Sequence, residues 1–116
     1  DIYQLIAGLW VACRHGFELE NAVEIAEKTY VNVNIHQKEN EDKLKNLAQL
    51  PDSCEASADC LESQRAVFEQ YNVFSPAMID GIIKRLRSYG DKTLRADING
   101  NQEEMLKLVN QYFHCG

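Results

Sequence analysis

The chain has 116 residues, 45% of them apolar, with 18 acids against 12 bases and a formal net charge of −6. That length fits one domain with one modest core, and the apolar share excludes disorder by composition. The acidic balance speaks against a nucleic-acid partner, because phosphate neutralisation needs a basic footprint.

With only two prolines and six glycines, helices are favoured over a turn-rich β architecture. The expected fold is all-α: a single domain over residues 1–116, a small helical bundle of about five to six helices. No run approaches the ~18 apolar residues of a membrane span. Asp1 opens the chain without the basic-then-apolar signature of a signal peptide. The expectation is a cytoplasmic chain with no membrane partner. An amphipathic pattern starts straight after Asp1, as in a piece of a larger architecture, whereas "YFHCG" reads as a natural terminus.

Residues 2–15 read as the first helix. Ile2, Leu5, Ile6, Leu9, Trp10 and Cys13 recur at helical spacing in one wide stripe. Ala7, Val11 and Ala12 add apolar character on other faces, so this helix is expected to be nearly surrounded in its parent, with an exposed apolar surface and self-association when alone. Gly16 is placed to stop it. A second helix is expected from about Glu20 to Tyr30, with Ala22, Val23, Ala26 and Tyr30 on one face. Alternation in "YVNVNIH" then reads as extended over 31–36, with a continued helix as the rival. "KENEDKLKNLAQL" resumes helical character until Pro51.

Ser53 is a good N-cap for a helix over 54–71, with Cys54, Ala58, Leu61, Arg65 and Phe68 in its stripe. "QYNVFSPAMID" is a helix–turn–helix corner at 71–76. Asn72 ends one helix in the left-handed region, and Val73 and Phe74 plug the turn. Ser75 caps the next helix and Pro76 takes its first position. Ile79, Ile82, Ile83 and Leu86 form its buried face, and Gly90 ends it. Residues 91–100 carry a turn or two with Leu94 and Ile98 inward. Asn101 and Glu104 start the last helix as a capping box, with Met105, Leu108, Val109 and Tyr112 on its apolar face. There is no internal repeat.

Chemistry-bearing residues do not assemble into a recognisable set. The sequence lacks a Gly-rich phosphate loop, a G-x-S-x-G elbow and an H-E-x-x-H run. His15, His36 and His114 fall in separate segments. Cys54 and Cys60 are six apart, about 240° of helical rotation. Cys13 with His15, and His114 with Cys115, are pairs without a four-ligand set. Free thiols, buried or half-buried, are expected rather than disulfides or zinc. Lys84, Arg85 and Arg87 form the one basic cluster, read as a solvated helix C-terminus in preference to a phosphate site. Glu18, Glu20, Glu24 and Glu27 read as a solvated acidic rim. Trp10 and Tyr3 read as core rather than a ligand stack. No catalytic, cofactor-binding or metal residue is assigned.

Three motifs in order nonetheless resemble the C-terminal part of the glutamine synthetase catalytic domain. "DIYQLIAGLWVACRHGFE" is similar to that family's Ala- and Gly-rich helix, through Tyr3, Ala7 and Gly16. "LPDSCEASADCLES" resembles its Leu-Pro-x-Ser segment, through Leu50, Pro51, Ser53, Glu55, Leu61 and Glu62. "NVFSPAMIDGIIKRLRS" resembles its Val-Phe-Ser/Thr corner and final helix, through Val73, Phe74, Ser75, Ile79 and Asp80. The resemblance covers roughly residues 1–90. Asp1-Ile2 replaces the family's usual Asn-Pro, and residues 91–116 are an addition, so the branch is divergent.

The resemblance implies a full-length parent that joins glutamate and ammonia, using ATP and magnesium or manganese. It implies that the reacting groups lie outside this chain, whose role is to pack against the rest of the catalytic domain in a homo-oligomer. The isolated chain is not expected to be active. The alternative is a stand-alone helical module that binds a protein partner.

Overall fold

The computed structural model describes residues 1–34, 37 and 47–113. The fold is all-α: the described residues form seven helices and no strand. Helix α1 spans Ile2–Glu18, α2 Ala22–Thr29, α3 Cys54–Ser63, α4 Arg65–Glu69, α5 Pro76–Arg87, α6 Leu94–Asp97 and α7 Gln102–Tyr112. Packing divides the chain into two compact units. One is Asp1–Leu50 with Gln64–Pro76; the other is Pro51–Ser63 with Ala77–Gly116.

In the first unit, Asp1 caps α1 by accepting a hydrogen bond from the Tyr3 amide at 2.9 Å. Gly16 does not stop this helix, contrary to expectation. The helix continues to Glu18 and ends at Leu19, which is extended. A glycine inside a helix costs only about 1 kcal/mol, and an Arg14–Glu18 ion pair at 3.0 Å spans this last turn. The apolar stripe of α1 is real but turned outward. Ile2, Leu5, Ile6 and Leu9 are exposed, whereas Val11 on the opposite side is fully buried. α1 packs chiefly against α4, and also against α2.

The face shared by Val23 and Tyr30 of the second expected helix is likewise turned to solvent. α2 stops at Thr29, whose hydroxyl donates back to the Ile25 carbonyl at 2.8 Å. Val31–Asn34 forms neither a strand nor a continued helix and bends at Val33; alternation alone supplies no partner strand for its hydrogen bonds. Ile35 and His36 lie outside the described residues. So does most of the expected helix before Pro51, and the described part, Leu47–Leu50, is not helical.

The expected helix over 54–71 divides into α3 and α4 at Gln64. This residue sits at φ −107° and ψ 10°, the bridge region rather than the helical one. Just before it, the Ser63 hydroxyl donates to the Cys60 carbonyl at 2.8 Å, a local bond that competes with helix continuation. The corner itself follows the sequence. Asn72 has φ +56°, α5 begins at Pro76, and Phe74 is buried edge-on to Phe68 with ring centroids 5.8 Å apart. Val73 is a third exposed and does not join the plug.

In the second unit, the amide end of α3 is fully capped. The Ser53 hydroxyl accepts from the Ala56 amide at 3.1 Å. Asp91 accepts from the Cys54 and Glu55 amides at 2.7 and 3.1 Å. The Ser57 amide makes the first helical bond, to the Ser53 carbonyl. Ala58, Ile79 and Ile83 are the buried apolar side chains, with Ile82 and Leu86 half-buried.

Gly90 and Gly100 take φ +57° and +77°, so each chain reversal uses a backbone that favours glycine. Leu94 and Ile98 are half-buried, as expected. Only half of the capping box forms at α7. Asn101 accepts from the Glu104 amide at 3.2 Å, but the Glu104 carboxylate turns to Lys107 at 2.8 Å. The Asn101 amide donates instead to the Ile98 carbonyl, so it has no need of the glutamate.

Candidate functional site

The basic cluster lies in the last turn of α5, where cations suit the helix dipole. Its Arg87 is committed to carboxylates rather than open to a phosphate. Arg87 forks onto Asp59 and Glu62 of α3 at 2.7 and 2.6 Å, and these hydrogen bonds raise its pKa further above the ordinary arginine value. Arg85 reaches the Tyr89 hydroxyl at 3.4 Å. Arg87 joins α3 to α5.

Glu18 is the member of the acidic rim with a distinctive environment. Tyr71 donates its hydroxyl to one Glu18 oxygen at 2.5 Å, and Arg14 holds the other. The Tyr71 hydrogen bond and then Arg14 hold the Glu18 carboxyl below its usual range. The same hydrogen bond, with desolvation, pushes Tyr71 up. Arg14 also lies 4.4 Å from the Tyr71 ring centre and 5.4 Å from that of Trp10, in cation–π range. Trp10 meets Tyr71 edge-on at 6.0 Å. Glu24 pairs with Lys28 at 2.6 Å on the surface. The expectation that Tyr3 and Trp10 are core is corrected: both are exposed, Trp10 at the edge of the outward face of α1. Four side chains therefore join the end of α1 to the segment after α4.

Cys13 and His15 share α1 but are two residues apart, about 200° around the helix, so they do not converge. Cys13 and Cys60 are exposed and Cys54 is half-buried, all as free thiols. The exposure of Cys13 and Cys60 corrects the expected burial; Cys13 follows the outward stripe of α1. His36, His114 and Cys115 lie outside the described residues. Among those described, no three His, Cys, Asp or Glu side chains are grouped to hold a metal ion.

A cleft of ≈ 600 Å³ opens in the second unit, lined in part by Cys54, Tyr89, Asp91, Leu94, Leu108 and Tyr112. Its one thiol is a poor nucleophile. Desolvation, and then a hydrogen bond to Asp91, push the Cys54 pKa up, away from the thiolate that reacts. Asp91 is committed to the α3 amides. Hydrogen bonds from the Cys54 and Glu55 amides depress its pKa against a desolvation penalty. Sequence reasoning missed this clamp, because acceptor and donors are separated by 36 and 37 residues and no local spacing links them.

The remaining candidate feature is a surface. Ile2, Leu5, Ile6 and Leu9 of α1 are 65, 62, 58 and 59% exposed, and Trp10 48%. With Ala12, Cys13, Gly16 and Phe17 they cover about 160° of the helix, at ~100° per residue, without one charged side chain. No protein-family model matches the chain, and no curated protein or solved structure matches it.

Proposed function

We propose that this chain is the C-terminal helical segment of a glutamine-synthetase-type ligase, and that α1 packs its outward face against the remainder of the catalytic domain. The observation that carries the reading is that charge-free face. Among the described residues only Val11, Ala58, Phe74, Ile79 and Ile83 are buried apolar side chains, while α1 alone exposes four large aliphatics in register. A contiguous patch of that kind marks a contact surface. It lies on the helix whose sequence resembles the family's Ala- and Gly-rich helix, and the chain turns at Asn72 just before the segment that resembles the family's Val-Phe-Ser/Thr corner.

In this reading the full-length parent is a cytoplasmic homo-oligomer that joins glutamate to ammonia with ATP and divalent metal. Among the described residues no three His, Cys, Asp or Glu side chains are grouped to hold that metal, and the reading places the reacting groups in the rest of the parent. The contribution of this chain is to support the catalytic layer. No described helix is long and apolar enough to cross a membrane.

The test is the reading frame upstream of Asp1. A β-rich region with paired Glu and Arg motifs is expected, and its product should form glutamine with ATP while residues 1–116 alone do not. A start codon within a few residues of Asp1 overturns the proposal and favours a stand-alone module that binds a partner through α1. ATP-dependent glutamine formation by the 116-residue chain overturns the placement of the reacting groups.

A further inference from the structure

Asn99 is the only asparagine in the chain followed by glycine, and the fold leaves this pair open. Both residues are exposed in the connection between α6 and α7. Gly100 holds φ +77°, and nothing lies within 4 Å of where a side chain would project from it. No acceptor is found for the Gly100 N–H among the described residues, although the neighbouring Asn99 and Asn101 amides bond to the Ala96 and Ile98 carbonyls. Lys92 and Arg95 line the same open cleft as Asn99.

We propose that Asn99–Gly100 is a site of spontaneous covalent modification, converting in the folded protein to aspartyl and isoaspartyl forms. The Gly100 backbone nitrogen attacks the Asn99 side-chain carbon Cγ. The new Cγ–N bond closes a five-membered imide, the Cγ–Nδ2 bond breaks, and the proton from the Gly100 amide leaves with the departing ammonia. Water then adds to one of the two imide carbonyls. One opening gives an aspartyl residue; the other routes the backbone through the former side chain and lengthens it by one carbon.

Exposure and the uncommitted Gly100 amide favour the attack. An amide already committed to a hydrogen bond would have to break it before attacking. Glycine presents no Cβ to shield the nitrogen, and holding nucleophile and electrophile in one short connection makes the attack intramolecular. The cationic side chains of Lys92 and Arg95 favour both the deprotonated amide and the product carboxylate. The isoaspartyl form adds its carbon between the Asn99 Cα and the Gly100 nitrogen, which shifts the Asn101 amide from the Ile98 carbonyl, so the modification acts on the start of the last helix. The proposal is independent of the ligase reading.

The test is incubation of the full chain in mildly alkaline buffer over days, native and in denaturant, followed by peptide mapping and isoaspartyl methyltransferase labelling. Conversion at Asn99 is expected to exceed that at any other asparagine by an order of magnitude, because only there does the next residue lack a Cβ. Native and unfolded chains are expected to convert at similar rates, and Asn99→Ser should abolish labelling at this position. Strong protection in the native chain, or faster conversion at an asparagine such as Asn72 or Asn110, overturns it.

Discussion

Asp91 sits where three effects meet: it accepts two amides, it fills the positive end of the α3 dipole, and it takes a hydrogen bond from a thiol. Its folded pKa is depressed, so the folded state holds the charged form in preference to the unfolded chain. The stabilisation is complete above the ordinary aspartate range and is lost as pH falls through the lowered folded value. Asp91→Asn should therefore lower stability at neutral pH and flatten the acid limb of the unfolding curve, measured by urea titration at a series of pH values. An unchanged acid limb would show that other carboxylates control it. The same contact predicts thiol reactivity. Cys13 and Cys60 are exposed, and Cys54 is half-buried with its pKa pushed up. With a chromogenic disulfide at neutral pH, Cys13 and Cys60 should react first and Cys54 slowly, and Asp91→Asn should accelerate Cys54. Equal rates at all three would mean that the clamp does not shield the thiol.

At the scale of elements, α1 carries two apolar faces of different kinds. The inner one uses small residues, Ala7 and Val11, against α4 and α2; the outer one uses large residues and meets solvent. Val11→Ala should cost about 2 kcal/mol, by lost burial plus an unfilled cavity, whereas Leu9→Gln should change stability by under about 0.5 kcal/mol, as surface substitutions do. Thermal or urea unfolding of the two variants decides this, and the reverse order would place the wrong face inward. Periodicity could not tell these faces apart, because it reports that residues share a side and not which side finds a partner. The signals that were legible were local ones. Ser53, Asn72, Pro76, Gly90, Gly100 and Asn101 each act within a few residues, and each stands at the boundary its chemistry demands. Gly16 misled for a related reason: a helix-stopping glycine must adopt positive φ, and here the chain continues to the Arg14–Glu18 pair instead. The break at Gln64 and the Asp91 clamp depend on backbone angles and distant contacts that no short window contains. The Arg87 fork was hidden likewise, since Asp59 and Glu62 lie 28 and 25 residues before it.

For the whole molecule, charge and the uncovered face of α1 work against each other. The net charge of −6 at pH 7 opposes close approach of two copies, while burying the α1 aliphatics favours it at roughly 25 cal/mol per Å² of apolar surface. Salt at 0.1 M screens the repulsion beyond about 10 Å but leaves the apolar attraction intact. Acidification towards the isoelectric point, ≈ 5.0, removes the repulsion at its source. Self-association of the isolated chain should therefore strengthen when salt is added at pH 7 and again as pH falls towards 5.0, read as a rise in average mass by sedimentation velocity. Leu5→Gln with Leu9→Gln adds no charge and leaves the isoelectric point in place, so it separates the two contributions. It should suppress the response to salt and to acid alike. If association weakens with salt, opposite charges rather than apolar surface drive it. If the double variant associates as the parent chain does, the contact lies elsewhere, and the proposal that α1 is a contact surface falls.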